Sequence, residues 1–209
     1  MPEKTVQKEP GKKPAPSKKP KPQQEVVVQI SLSELHPFPD HPFQVREDAT
    51  MQETAESVKE YGVLVPALAR PRKDGGYELI AGHRRKHACE LAGLATMPVI
   101  VRDIDRDAAT IIMVDSNLQR ENILPSERAK AYKMKMEAIK RQGARTDLTS
   151  PKISAKFRSD DEVGQDAGVS GDTIRNYIAL TQLVPELQQM VDEKKIALSP
   201  CLLYTSPSP

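Results

Sequence analysis

The stretch Tyr77–Gly93, YELIAGHRRKHACELAG, constrains the fold more than any other. Tyr77–Ala81 suits a short strand, Gly82 a backbone turn, and Arg84–Leu91 a helix that Gly93 ends. A glycine between a strand and a helix leaves backbone N–H groups facing outward, where the helix dipole favours an anion. Arg84 and Arg85 bring two guanidinium groups to the same corner, and a planar guanidinium suits phosphate. The corner is a candidate phosphate site on residue chemistry alone, although a basic turn on a solvated surface has the same composition.

The flanking segments supply a sheet and its helices. Val26–Ile30 is β-branched and suits a first strand. Leu35–Arg46, LHPFPDHPFQVR, carries too much proline for a helix and is expected to be extended or looped. Thr50 and Glu53 have capping-box spacing and predict a helix to Tyr61, with Ala55 and Val58 inward and Gly62 at its end. Val63–Arg70 and Met97–Val101 predict strands, with a turn at Lys73–Gly76. Strands alternating with helices indicate an α/β or mixed α+β domain. Asp105–Arg120 predicts a helix with Ala108, Ile111, Ile112 and Leu118 on its inner face. Pro125 and Ser126 start another, with Ser126 as N-cap, running through Tyr132, Met136 and Ile139 to Gln142.

Gly143–Arg158 is polar and predicts a loop. Beyond it, Val163–Ala167 suits a short helix, Gly168 a turn, and Ser170 the N-cap of a second helix. Val169 and Ile174 have the spacing of a hydrophobic staple, and Gly164 is small where the two helices must cross. This is the grammar of a helix-turn-helix over about 160–183, and it also suits an ordinary helical hairpin. Read as a helix-turn-helix, the second helix enters a major groove. Ser170, Gly171, Asp172, Thr173, Arg175 and Asn176 are then the residues that contact bases or phosphate.

Composition narrows the classes. No apolar run among the 209 residues is long enough to span a bilayer, so no membrane partner is expected. Cys89 and Cys201 form no motif, which predicts a cytoplasmic, reducing compartment, with Cys89 a buried apolar residue. His83 and His87 lie four apart, but no third metal ligand accompanies them. The net charge of +2 conceals a Lys/Pro-rich segment, Met1–Gln24. It has too few apolar groups to fold and predicts a disordered tail that either solubilises the chain or touches DNA phosphates.

Four features in one order resemble the ParB/RepB-like partition family. They are HPFQVR at His41–Arg46, AGHRRKHACELAG at Ala81–Gly93, DSNLQRENILPSERAKAY at Asp115–Tyr132, and the helix-turn-helix pattern after them. The resemblance covers about Val26–Pro200. It implies an α+β architecture: a small mixed-sheet, sulfiredoxin-like N-terminal domain over 25–120, then an all-α DNA-binding domain over 121–200. It implies a homodimer that binds CTP and Mg2+, recognises a parS-like palindrome in double-stranded DNA, and closes as a sliding clamp. It further implies a ParA-type ATPase as partner and a nucleoid- or plasmid-associated location. Carried over by motif, Gln44 lies near the nucleotide. Gly82, His83, Arg84 and Arg85 hold the triphosphate, and Ser116 and Asn117 lie at the metal end, Asn117 helping to bind Mg2+.

Two departures from the family pattern matter. His83 stands where the family usually has glutamate, and Ser116 where it has the glutamate tied to metal handling and hydrolysis. Weak CTPase activity is the expectation. A family regulator or nucleoid-occlusion protein fits the same motifs. A sulfiredoxin- or kinase-like nucleotide enzyme is the less favoured alternative, since Gly82 stands where sulfiredoxin has a cysteine and the downstream helix-turn-helix argues against a free-standing kinase. Finally, CLLYTSPSP at Cys201–Pro209 resembles a translated sequencing adapter, and 201–209 is expected to be a non-native tail.

Overall fold

The computed structural model describes residues 26–120, 122–146 and 159–205. The tail expected over 1–24, most of the loop expected over 143–158, and residues 206–209 lie outside the described residues. The strands are β1 (Val27–Ser31), β2 (Leu35–Pro37), β3 (Ala67–Pro71), β4 (Tyr77–Ala81) and β5 (Thr96–Val101). The helices are α1 (Ala49–Tyr61), α2 (His83–Leu91), α3 (Arg106–Leu118), α4 (Pro125–Thr146), α5 (Ser159–Ala167), α6 (Gly171–Leu180), α7 (Pro185–Asp192) and α8 (Leu198–Thr205).

The sheet runs β1-β5-β3-β4-β2. Its β1/β5 and β3/β4 pairs are antiparallel, and β2/β4 and β3/β5 are parallel, so the α+β, mixed-sheet expectation holds. Successive residues of a strand face opposite sides, and β4 shows what that does here. Leu79 packs with Met51 and Val58 of α1 and Ala88 and Cys89 of α2. Ile80 packs on the other side with Ala109 and Met113 of α3 and Ala131 of α4. The sheet therefore sits between two helical layers. Two further cores lie against α4: Tyr132 with Val163 and Ile174, and Ala129 with Leu180, Val191 and Cys201. Helix α4 thus serves both the sheet domain and the helical unit.

Several local expectations are corrected. Helix α1 is capped by Asp48, which accepts from the Met51 N–H at 2.9 Å, and Thr50 instead donates its hydroxyl to Asp48. A carboxylate two residues earlier is the better cap for the exposed first-turn N–H groups. Residues 63–66 form a loop ahead of β3. Helix α4 begins at Pro125, since the Arg128 N–H donates to the Leu124 carbonyl at 2.9 Å. Proline is preset for the first helical position. Ser126 is the second residue, and its N–H and hydroxyl both donate to Asp192 of α7, at 2.9 and 2.6 Å. The helix also runs past Gly143 to Thr146. The inner face of α3 is Ala109, Thr110, Met113, Val114 and Asn117, rotated from the face expected through Ile111 and Ile112. Those two isoleucines are only partly buried at its margin.

Candidate functional site

The corner after β4 forms as its sequence requires. Gly82 is left-handed, at φ 109°, and caps α2 without a side chain. A Cβ there would lie 2.8 Å from the Ala67 Cβ of β3, so only glycine lets α2 start this close to the sheet. The first N–H groups of α2 are therefore not covered by a cap side chain.

Beside them opens a cleft of about 540 Å3, lined among others by Gln44, Arg46, Arg84, Arg120 and Glu127. Arg84 is steered by α1, donating to the Thr50 hydroxyl at 2.9 Å and to Asp48 at 3.4 Å. Glu127 is nearly buried and fastens α4 to the cleft. It accepts from the Gln44 N–H at 3.1 Å and from the Leu124 N–H at 3.2 Å, and it lies 3.8 Å from Arg46. Burial, with Arg84 and Arg85 nearby, lowers the pKa of Arg120 despite Glu127. Three guanidinium groups from three separate segments face one cavity, an arrangement suited to a polyanion.

Arg85 goes elsewhere. One residue along a helix is about 100° of rotation, and its guanidinium donates to the Val65 and Pro66 carbonyls of the loop before β3. It lines a second cavity, of about 390 Å3, with Val63, Leu64 and Val65. Gln44 and Arg84 thus line one cleft and Arg85 its neighbour, while Gly82 opens the start of α2 and lines neither.

His83 is also turned from the open cleft. Its ring lies against that of His41, with centroids 3.9 Å apart and the planes tilted by 43°. The His41 Nδ1–H donates to the Phe43 carbonyl at 2.7 Å, and the Nε2 atoms of both histidines are buried with no partner. Burial, then His41, Arg120 and Lys86, push the His83 pKa down to about 3. Burial lowers that of His41 as well. Both rings are neutral at ordinary pH.

At the end of α3, Asn117 is 3% exposed, and its amide donates to the Met113 carbonyl at 2.8 Å. Its Oδ1 is a buried oxygen with no partner. The backbone carbonyl of Asn117 accepts from the Arg120 N–H at 3.0 Å, tying it to the cleft. The Ser116 hydroxyl bends back to the Met113 carbonyl at 2.9 Å. Asp115 points away altogether, to Lys135 of α4 at 2.7 Å. The donor set therefore fits a triphosphate, and the orphaned Asn117 oxygen fits a hard cation that takes its other ligands from phosphate and water. Among the described residues, no three or more His, Cys, Asp or Glu side chains cluster as a metal site of their own.

Helices α5 and α6 are joined by a tight turn. Ser170 caps α6, accepting from the Thr173 N–H at 3.2 Å. A Cβ on Gly164 would lie 2.6 Å from the Val169 carbonyl, so this glycine lets α5 meet the turn. Ser170, Asp172, Arg175 and Asn176 are exposed, and Thr173 is half-buried. Gly171 is buried instead, and a side chain there would collide with the Asp161 carboxylate. Its expected place on the outer face is corrected: α5 packs where that side would point.

Residues 16–118 match the ParB N-terminal domain model. The chain belongs to the ParB family through this domain. The chromosome-partitioning protein Spo0J of Thermus thermophilus is 34% identical over 171 residues, which is 81% of this chain and 56% of that protein. A nucleoid occlusion protein of Halalkalibacterium halodurans is 29% identical over 174 residues, 83% of this chain and 55% of that one. A C-terminally truncated ParB of Caulobacter crescentus, solved in complex with the centromeric parS site, is similar with a TM-score of 0.56 at 25% identity. That match covers 87% of this chain and 86% of the other. The chain spans about half the length of the curated relatives it matches.

In this ParB-family chain, sequence reasoning missed Arg46, Arg120 and Glu127 as site residues. All three lie inside the quoted motifs, and that placement was the available signal. Their convergence depends on α4 docking beside the loop after β2, which no local pattern announces.

Proposed function

We propose that the chain is a site-specific DNA-binding partition protein whose N-terminal domain takes CTP with Mg2+ in the cleft at the head of α2. The observation that carries this is the convergence of Arg46, Arg84 and Arg120 beside the glycine-opened start of α2. In this reading Arg84 and Arg120 hold phosphate oxygens, and the N–H groups after Gly82 add uncharged donors. A bound Mg2+ would screen the phosphates from one another, with Asn117 Oδ1 as the oxygen this chain offers it. Helix α6 reads a parS-like palindrome in double-stranded DNA. The protein acts as a homodimer that closes around DNA when nucleotide binds, with a ParA-type ATPase as partner, at the nucleoid or a plasmid. Glu127 supplies a physical link, because the same carboxylate holds the Gln44 backbone and the first turn of α4.

Hydrolysis is expected to be slow. Asp115 is engaged by Lys135, and the Ser116 hydroxyl by its own helix, so neither can take over from the missing glutamate. Calorimetry with CTP and Mg2+ tests binding, and phosphate release with cognate DNA tests turnover. Heat with CTP and release far below that of a glutamate-bearing relative are expected. Absence of heat overturns the nucleotide reading, and rapid release overturns the account of Ser116. The similarity to a nucleoid occlusion protein supports a second reading, a family regulator with a different DNA site.

A further inference from the structure

Helices α5 and α6 have a charge pattern that sits badly with binding through phosphate alone. Over residues 159–180 the sequence has one basic residue, Arg175, against five acidic ones, Asp160, Asp161, Glu162, Asp166 and Asp172. Phosphate-driven affinity needs cations released against DNA, and this surface offers mostly repulsion.

The one cation is also held in place. Arg175 stands on the exposed side of α6, one turn beyond Ser170 and Asp172. Its Nη1 donates to Asp160 at the start of α5, and its Nη2 donates to Asp172 on its own helix. A guanidinium has five N–H donors. Two are taken, which leaves three in a plane fixed by carboxylates on two helices. A fork fixed in that way matches the O6/N7 edge of guanine in a major groove, whereas a mobile arginine serves any phosphate within reach. The carboxylates themselves repel phosphate wherever the base contact is not made.

We infer that Asp160 and Asp172 are positioning residues that aim Arg175 at one guanine and hold down binding to every other sequence. This rests on α6 reading duplex DNA. Discrimination in this unit then comes from a single oriented arginine and from repulsion of non-cognate backbone together.

The test selects duplexes with a randomised palindromic core on the wild-type chain and on the Asp172→Asn, Asp160→Asn/Asp172→Asn and Arg175→Lys variants. The enriched duplex and a scrambled one are then titrated at one fixed salt concentration. The Asp172 side chain is 80% exposed, so Asp172→Asn keeps the fold even where the double variant does not, and thermal melts check both. The wild type should enrich a site with a required G·C pair. Arg175→Lys should lose about tenfold against that site, with little change on scrambled DNA. The Asn variants should bind scrambled DNA severalfold more tightly and lose selection at the same pair. Unchanged discrimination in both Asn variants, or an unchanged site for Arg175→Lys, overturns the inference and leaves α6 as a DNA reader. If the wild type enriches nothing, the reading of α6 fails, and the inference with it.

Discussion

The sheet domain leaves buried polar atoms unmet around its cleft while pairing Glu78 with Arg70 and Asp107 with Arg141 elsewhere, and the helical unit meets its own buried charge. In the sheet domain, His41 Nε2, His83 Nε2 and Asn117 Oδ1 are buried without a partner, and all three belong to segments that frame the cleft. In the helical unit the conspicuous buried polar group is Lys135, 1% exposed, and it is satisfied twice, by Asp115 at 2.7 Å and Asp166 at 2.9 Å. Burial alone would lower the Lys135 pKa, but the two carboxylates outweigh it and leave it raised. An unmet buried acceptor costs stability that a chain retains where function needs the atom. A lysine locked between two helices contributes to architecture. The contrast separates the unmet polar atoms around the cleft from the ion pairs that tie the helices together.

That contrast can be broken by mutation. The largest effect is expected at Lys135. Lys135→Ala removes the shared partner of α3 and α5 and leaves a cavity, and should cost about 3 kcal/mol in urea unfolding. A loss under about 1 kcal/mol would mean that the helical unit does not depend on the tie. Next comes the cleft, where stability and binding should part company. Arg84→Ala or Arg120→Ala should weaken CTP binding by about 10- to 100-fold in calorimetry, with unfolding within about 0.5 kcal/mol of wild type.

The buried histidines give a pH test. His83 titrates near 6.5 when unfolded and at about 3 when folded, so the unfolded chain takes up the proton first. Stability is unaffected above pH 6.5, falls as pH drops through 6.5, and goes on falling to about 3. The slope approaches ~1.4 kcal/mol per pH unit for one such group. His83→Gln should flatten urea midpoints measured between pH 7.5 and pH 5, and an equally steep variant would contradict the assignment. The smallest effect, and the sharpest, is at Asn117. Asn117→Leu removes an orphaned oxygen and should raise stability by about 1 kcal/mol while lowering the Mg2+ dependence of nucleotide binding. A destabilised variant would mean that the lost amide bond to the Met113 carbonyl outweighs the removal of the orphaned oxygen.

Legibility in the sequence followed the range of the interaction. The β4–Gly82–α2 corner and the Ser170 cap were readable because each is closed by residues a few places apart. The cap of α1 was misassigned to Thr50 because Asp48, two places earlier, competes for the same N–H groups. Ser126 was misread because its partner, Asp192, is 66 residues away. The inner face of α3 was misjudged because Ile111 and Ile112 are the most apolar residues present, yet Met113 and Val114 take the core positions. Arg85 was expected with Arg84 because they are neighbours in sequence, but helical rotation sends them to different cavities.

Helix α4, at 22 residues, is a rod of about 33 Å. Its first turn grips the loop that lines the cleft, its middle presses on α3, and Lys135 reaches across to α5. A rod of that kind does not bend at its midpoint to absorb a small displacement. A change of a few degrees in how Gln44 seats Glu127 would therefore emerge at the far end as a sideways sweep, so the sheet domain and the helical unit cannot reorient independently while those contacts last.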